Sequence, residues 1–191
     1  MTLTTVTGPA AELFSAFEVK IHLRIDATET SEDSLISDLI VAARQTIETS
    51  LRVRLINQTV RLTLNAFPSH IQLPIWPVQS IDNVTYINSS GVSTVLASSE
   101  YQLITSCKPH EIAPAYLKIW PTTRADFDAV TVDLLVGYGL AGTDIPYEIR
   151  QAVLLLVADF FENRENTLIG STRVSMPFAV ESLIAPHRFW I

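Results

Sequence analysis

Residues 144 to 165, DIPYEIRQAVLLLVADFFENRE, place Ile149, Ala152, Val153, Leu156, Val157, Phe160 and Phe161 on one broad apolar face, and Leu154 and Leu155 extend that face nearly round the helix. A helix this apolar must be enclosed by partners. The best match is a second amphipathic segment near residues 32 to 50, where Leu35, Ile36, Leu39, Ile40, Ala43 and Ile47 form a stripe. About eighty residues lie between the two, and their period is 2 rather than 3.6. Helix, strands, helix is therefore the order any fold of this chain must satisfy.

The local signals sharpen that outline. Asp144 is placed to cap the late helix, with Pro146 in its first turn, where a missing N–H costs nothing. The earlier one starts at Thr30 or Ser31, with Glu32 and Asp33 beside the free N–H groups of its first turn, and Asp38, Arg44, Gln45 and Glu48 mostly off the buried stripe as solvated residues. A short first helix is predicted near 13–23 from Leu13, Phe14, Phe17 and Ile21.

From Asn57 on, Val60, Leu62 and Leu64 alternate with Thr59, Arg61 and Thr63, as in a strand with one buried face. Further strands are predicted at 70–73, 78–87, 92–96, 101–104, 115–120 and 130–136, separated by turn residues such as Phe67-Pro68, Trp76-Pro77 and Asn88-Ser89-Ser90-Gly91. Connections this short favour antiparallel pairing, because a parallel pair needs a crossover of a dozen or more residues. Ile75-Trp76-Pro77 and Ile119-Trp120-Pro121 echo each other, but three residues do not make a repeat; the tryptophans read as strand-closing core covers. The expected class is α+β: a helical core (helices near 13–23, 32–50 and 144–165) with an antiparallel β-rich insertion. Its parts are residues 1–56, the insertion 57–137, and residues 138–191, the last helix and tail.

Charge and composition exclude several functions. The 191 residues carry 13 Lys and Arg against 20 Asp and Glu, a formal net charge of -7, with no basic cluster to neutralise phosphates. Hydrophobic residues make up 48% and charged ones 17%, an apolar surplus that suggests burial against other subunits. Cys107 is the only cysteine, so no internal disulfide is expected. The N-terminal residues lack a positive region followed by an apolar run, and neither secretion nor membrane insertion is expected. The Asn-x-Ser/Thr triplets at Asn57, Asn83 and Asn88 then have no glycosylation to serve.

Chemical motifs are few. Gly137-Tyr138-Gly139-Leu140-Ala141-Gly142 matches the dinucleotide fingerprint and lies between a strand and a helix. However, the helix starts after the third glycine and Asp144 puts a carboxylate where a pyrophosphate would sit, so a flexible strand-to-helix loop is the preferred reading. Cys107, His110 and Glu111 could begin a zinc site, but His22, His70 and His187 are scattered, and an exposed loop fits better. Asp126 and Asp128 beside Arg124 read as solvated loop residues, and no nucleophile has an assignable base. These readings assign no catalytic, cofactor or metal residue.

One further pattern runs through the chain. Val19-Lys20-Ile21-His22-Leu23-Arg24-Ile25-Asp26 is followed by Glu32-Asp33, Leu35-Ile36, Leu39-Ile40, Ala42-Ala43-Arg44 and Ile47-Glu48. Then come Phe67-Pro68, Leu73-Pro74, Trp76-Pro77-Val78, Tyr101, Trp120-Pro121, Gly137-Tyr138-Gly139, Pro146, Ile149-Arg150, Ala152 and Glu162-Asn163-Arg164-Glu165. Pro177, Val180, Leu183-Ile184, Pro186 and Arg188 close the series. In this order and spacing the sequence resembles the tailed-phage head-to-tail connector (head-completion or adaptor) family, of the type with a β-rich insertion. Ser50-Leu51-Arg52-Val53 departs from it, standing where a Gly-Arg pair is expected.

The resemblance implies a structural virion protein of the neck, made in the host cytoplasm, with no enzymatic activity and no cofactor. It implies a homo-oligomeric ring of about a dozen copies under the portal protein, with a monomer in isolation compatible, and a tail or stopper protein on the other side. Genomic DNA would pass through without specific binding, and no membrane is involved. A tail-side completion protein is the alternative within this class; a nucleotide-binding enzyme using residues 137–142 is the alternative outside it. The tail is expected to supply the portal or subunit interface, through Arg173, Phe178, Arg188, Phe189, Trp190 and Ile191.

Overall fold

Eight strands and four α-helices follow one another in a computed structural model that describes residues 1–163 and 176–188. They fall into two compact units, one made of residues 1–10 and 57–138, the other of residues 11–56 with the described residues from 139 to 188.

The strand unit contains β1 (Thr2–Thr7), β2 (Gln58–Leu64), β3 (Ile71–Gln72), β4 (Val78–Ile87), β5 (Ser93–Val95), β6 (Tyr101–Ile104), β7 (Glu111–Pro114) and β8 (Val130–Val136). One sheet has the order β1-β2-β8-β4-β5 and the other β3-β7-β6. Every strand pairing is antiparallel, as the short connections require. β8 sits between β2 and β4, and its strict alternation buries Val130, Val132, Leu134 and Val136. They share one core with Val60 and Leu62 of β2, Val84 of β4, Ile71 of β3 and Ile112 of β7, so both sheets contribute to it. The opposite side of β8 carries Thr131, Asp133 and Leu135. There Arg61 lies directly across from Asp133 and makes two hydrogen bonds to it, at 2.7 and 2.9 Å.

Three expectations for this region are corrected. Residues 115–120 form no strand: Glu111–Pro114 takes that place, and the following chain turns outward. The apolar letters Tyr116, Leu117 and Ile119 suggested a buried strand, yet all three are exposed. Cys107 to Glu111 is not simply an exposed loop, since His110 is buried and its Nε2 accepts the Trp76 indole N–H at 3.1 Å. Finally, β1 was not anticipated. Its Thr-rich sequence has the branching that suits a strand, but five of its six residues are exposed, leaving almost no hydrophobic alternation to read.

The helical unit contains α1 (Ala16–Leu23), α2 (Asp33–Leu51), α3 (Tyr147–Glu162) and α4 (Phe178–Ile184). α1 begins with a capping box: the Ser15 side chain accepts the Glu18 N–H, and the Glu18 carboxylate accepts the Ser15 N–H at 2.8 Å. α2 ends at Arg52 in the left-handed region, φ 56°, which closes the helix where a glycine was expected. α2 buries Ile36, Ile40, Ala43, Ile47 and Leu51, and α3 buries Ile149, Ala152, Val153, Leu156 and Val157. α3 begins at Tyr147 rather than at Asp144, because the proline at 146 forces Ile145 into extended backbone (φ -88°, ψ 141°). Asp144 instead ends a short 3-10 turn.

Two residues read as solvated are buried: Arg44 is 5% exposed and Glu48 4%. Arg44 grips Glu12 through Nε and Nη2, at 2.8 and 3.0 Å, and donates from Nη1 to Glu48 at 3.0 Å. The Leu55 N–H donates to the other Glu48 oxygen at 2.9 Å. Burial pushes the Glu48 carboxyl up against the pull of that N–H and of Arg44. Lys20, also buried, pairs with Asp33 at the start of α2.

Candidate functional site: contact surfaces

The glycine loop is the one place where the sequence carries a nucleotide signature, and its geometry has a packing explanation. Gly137 has φ 134°, and a Cβ there would lie 2.6 Å from the Asn57 backbone nitrogen. A Cβ on Gly139 would meet the Asp144 carboxylate, and one on Gly142 the Leu13 carbonyl oxygen. Asp144 turns back into the loop, where its carboxylate accepts the Ala141 N–H at 3.1 Å. Close approach of chain to chain thus requires each glycine, and the loop is pinned rather than flexible.

The histidine and cysteine of the zinc-like motif are engaged elsewhere. His110 meets Trp76, whose ring also carries Lys108 at 4.3 Å and packs edge-on against Tyr138. Burial, followed by the Lys108 charge, holds the His110 imidazole below its usual range and keeps it a neutral acceptor. Cys107 is half-buried, with its thiol 3.9 Å from the Ile104 carbonyl. Asp126 and Asp128 are exposed, and Asp126 lies 3.8 Å from Arg124.

What remains for function is surface. Of the six tail residues expected to make contacts, Arg173, Phe189, Trp190 and Ile191 lie outside the described residues. Phe178 opens α4 and is 83% exposed. Arg188 faces its own unit, donating to Glu181 at 3.2 Å and to Ser50 at 3.4 Å. The described structure thus places one of the pair outward and the other on its own helices.

Exposed apolar side chains occur in both units. In the helical unit Phe17 and Ile21 stand one turn apart on α1, and Leu140 and Tyr147 precede and begin α3. In the strand unit the loop from Ala115 to Asp128 exposes Tyr116, Leu117, Ile119 and Phe127, each between 82% and 87%. Sequence reasoning missed this loop because an apolar run looks the same whether it is buried or presented. The available signal was imperfect alternation: Leu117 and Ile119 would share one strand face, but Tyr116 and Trp120 would put large rings on the other.

Comparison with known proteins gives these surfaces a context. Residues 17–105 match a family described as Phage gp6-like head-tail connector protein. No curated protein matches the chain. Among solved structures, a chain in "Virion of native gene transfer agent (GTA) particle" is 27% identical, with a TM-score of 0.83 over 100% of this chain and 97% of that one. A chain in "Neck of empty GTA particle computed with C6 symmetry" is 27% identical with a TM-score of 0.82, at the same coverage of both. A third, from "Neck of native GTA particle computed with C12 symmetry", is 26% identical with a TM-score of 0.78, again at that coverage. The motif series from Val19 to Arg188, the family match over residues 17–105 and a structural likeness along the full sequence converge on a structural head-to-tail connector.

Proposed function

We propose that this connector assembles as a ring at the neck, between the portal and the tail-side proteins, and works by contact rather than catalysis. The observation that carries the reading is the full-length likeness to a chain from a neck described with twelve-fold symmetry. A contact that repeats by rotation closes into a ring, and exposed apolar side chains in both units supply surface for it. The net charge of -7 suits a conduit that lets a genome slide, since phosphate neutralisation is what makes binding tight. In this reading residues 57–137 are an elaboration on a helical core formed by 1–56 and 138–191. The tail from residue 173 onward, with Phe178 as its outward anchor, engages the portal or an adjacent copy.

Native mass spectrometry of the chain, alone and mixed with the portal of its own phage, tests this. A multi-copy complex on the portal is expected. A chain that ignores the portal and stays monomeric overturns the reading. Thermal shift with NAD, FAD and ATP tests the contact-only claim, since a ligand at a hundred times its Kd stabilises by about 2.7 kcal/mol. No shift is expected.

A further inference from the structure

Among the described residues of the strand unit, only His110 is both titratable and buried. It also stands at a junction. Between β3 and β4 the chain passes from one sheet to the other, and His110, just ahead of β7, ties that passage twice. Its carbonyl accepts the Leu73 N–H at 2.9 Å, and its Nε2 accepts the Trp76 indole N–H at 3.1 Å. The next carbonyl along, that of Pro77, accepts the Gly137 N–H at 2.9 Å, so the same corner holds the end of β8.

The indole bond fixes the state of the ring. An indole N–H only donates, so Nε2 must offer a lone pair and the imidazole proton must sit on Nδ1. Protonation would turn a bond into two opposed N–H groups and set an imidazolium beside the Lys108 ammonium. The other titratable groups around the corner give that charge no counterweight. Glu111, the next residue of β7, pairs with His70 at 3.3 Å, and the Cys107 thiol lies 3.9 Å from the Ile104 carbonyl. Burial pushes the Tyr138 phenol up, so it stays neutral.

We propose that His110 is an acid-sensitive latch on the strand unit: protonation at Nε2 releases the Trp76 indole and loosens the passage between the two sheets, and deprotonation closes it again. Burial sets the direction. Held below the ordinary value of 6.5, the imidazole binds its proton less readily in the folded chain than in the unfolded one. The stability added by the latch is therefore full above that ordinary value and is lost as pH falls through it toward the lowered one. Every group involved lies in one chain, so the latch is independent of ring assembly.

NMR of the full chain carrying 15N-labelled tryptophan and histidine, titrated from about pH 7.5 to about pH 5 across the histidine range, tests this. A Trp76→Phe variant identifies the Trp76 indole signal. In the parent that signal is expected to shift with the same midpoint as His110. In His110→Gln, whose side-chain oxygen accepts an N–H but does not titrate, it should stay fixed. A parent signal that stays fixed across the range, or one that moves alike in His110→Gln, overturns the latch. If His110→Gln does not fold, the parent's histidine nitrogens decide: a proton on Nδ1 at neutral pH together with the shared midpoint supports the latch, and a proton on Nε2 or separate midpoints overturn it.

Discussion

The two units treat charge differently. All three buried charged side chains among the described residues, Lys20, Arg44 and Glu48, belong to the helical unit, whereas the strand unit buries only the uncharged Gln58 and His110. Geometry explains the contrast. A strand sends alternate residues to opposite faces, so Arg61 and Asp133 meet on the outer side of the sheet while their neighbours fill the core. α2 has less freedom: Arg44 and Glu48 are four residues apart on a helix that carries Glu12 on one flank and the turn to Leu55 on the other, and both become enclosed. Once enclosed, each needs the other. Such a network adds little net stability, but it makes any alternative packing costly, because each misplaced partner leaves a charge behind.

The sharpest way to break the comparison is to remove one buried side chain from each unit. Glu48→Ala leaves Arg44 with Glu12 alone and takes the acceptor from the Leu55 N–H, and should cost about 3–5 kcal/mol, read by denaturant unfolding and by loss of hydrogen-exchange protection across α2. If that loss is below about 1 kcal/mol, the enclosed network is not what orders α2. In the strand unit the comparable loss should come from a core residue. Leu134→Ala, at the centre of β8, is expected to cost about 2–4 kcal/mol.

Smaller effects sharpen it. Ser15→Ala removes the cap of α1 and should cost about 1 kcal/mol. The Ser15 backbone and side-chain bonds hold the Glu18 carboxyl below its usual range. The stability this adds is present above the ordinary glutamate pKa and is lost as pH falls through the lowered value. Acid titration of Ser15→Ala should therefore be flatter than that of the parent over that window. Smallest of all is Arg61→Ala on the outer sheet face, expected to shift the unfolding midpoint least of the set, because an ion pair made by a solvent-facing arginine is worth little however well formed.

Much of this fold is legible in the sequence, and the failures share a cause. Periodicity marks α2, α3, β2 and β8, since each shows a regular face to a core. It misreads Arg44 and Glu48, whose burial depends on partners 32 and 7 residues away. It also misreads Tyr116 to Ile119, where apolar residues are directed outward, and it passes over β1, which is ordered by backbone pairing with β2 more than by its own side chains. The motif series that marks the family is legible as well. The contact surfaces are not, because exposure is a property of the surroundings rather than of the residue.

The pairing of β1 has a practical consequence. Thr2 to Thr7 is the outermost strand beside β2, and it hides that strand's free backbone row with side chains that are mostly threonine. Trimming these residues, or fusing a bulky tag that pulls them away, would turn β2 into an open edge, with seven residues ready to pair with any passing strand. A preparation that aggregates after such a change would be reporting a missing shield and not a failed core.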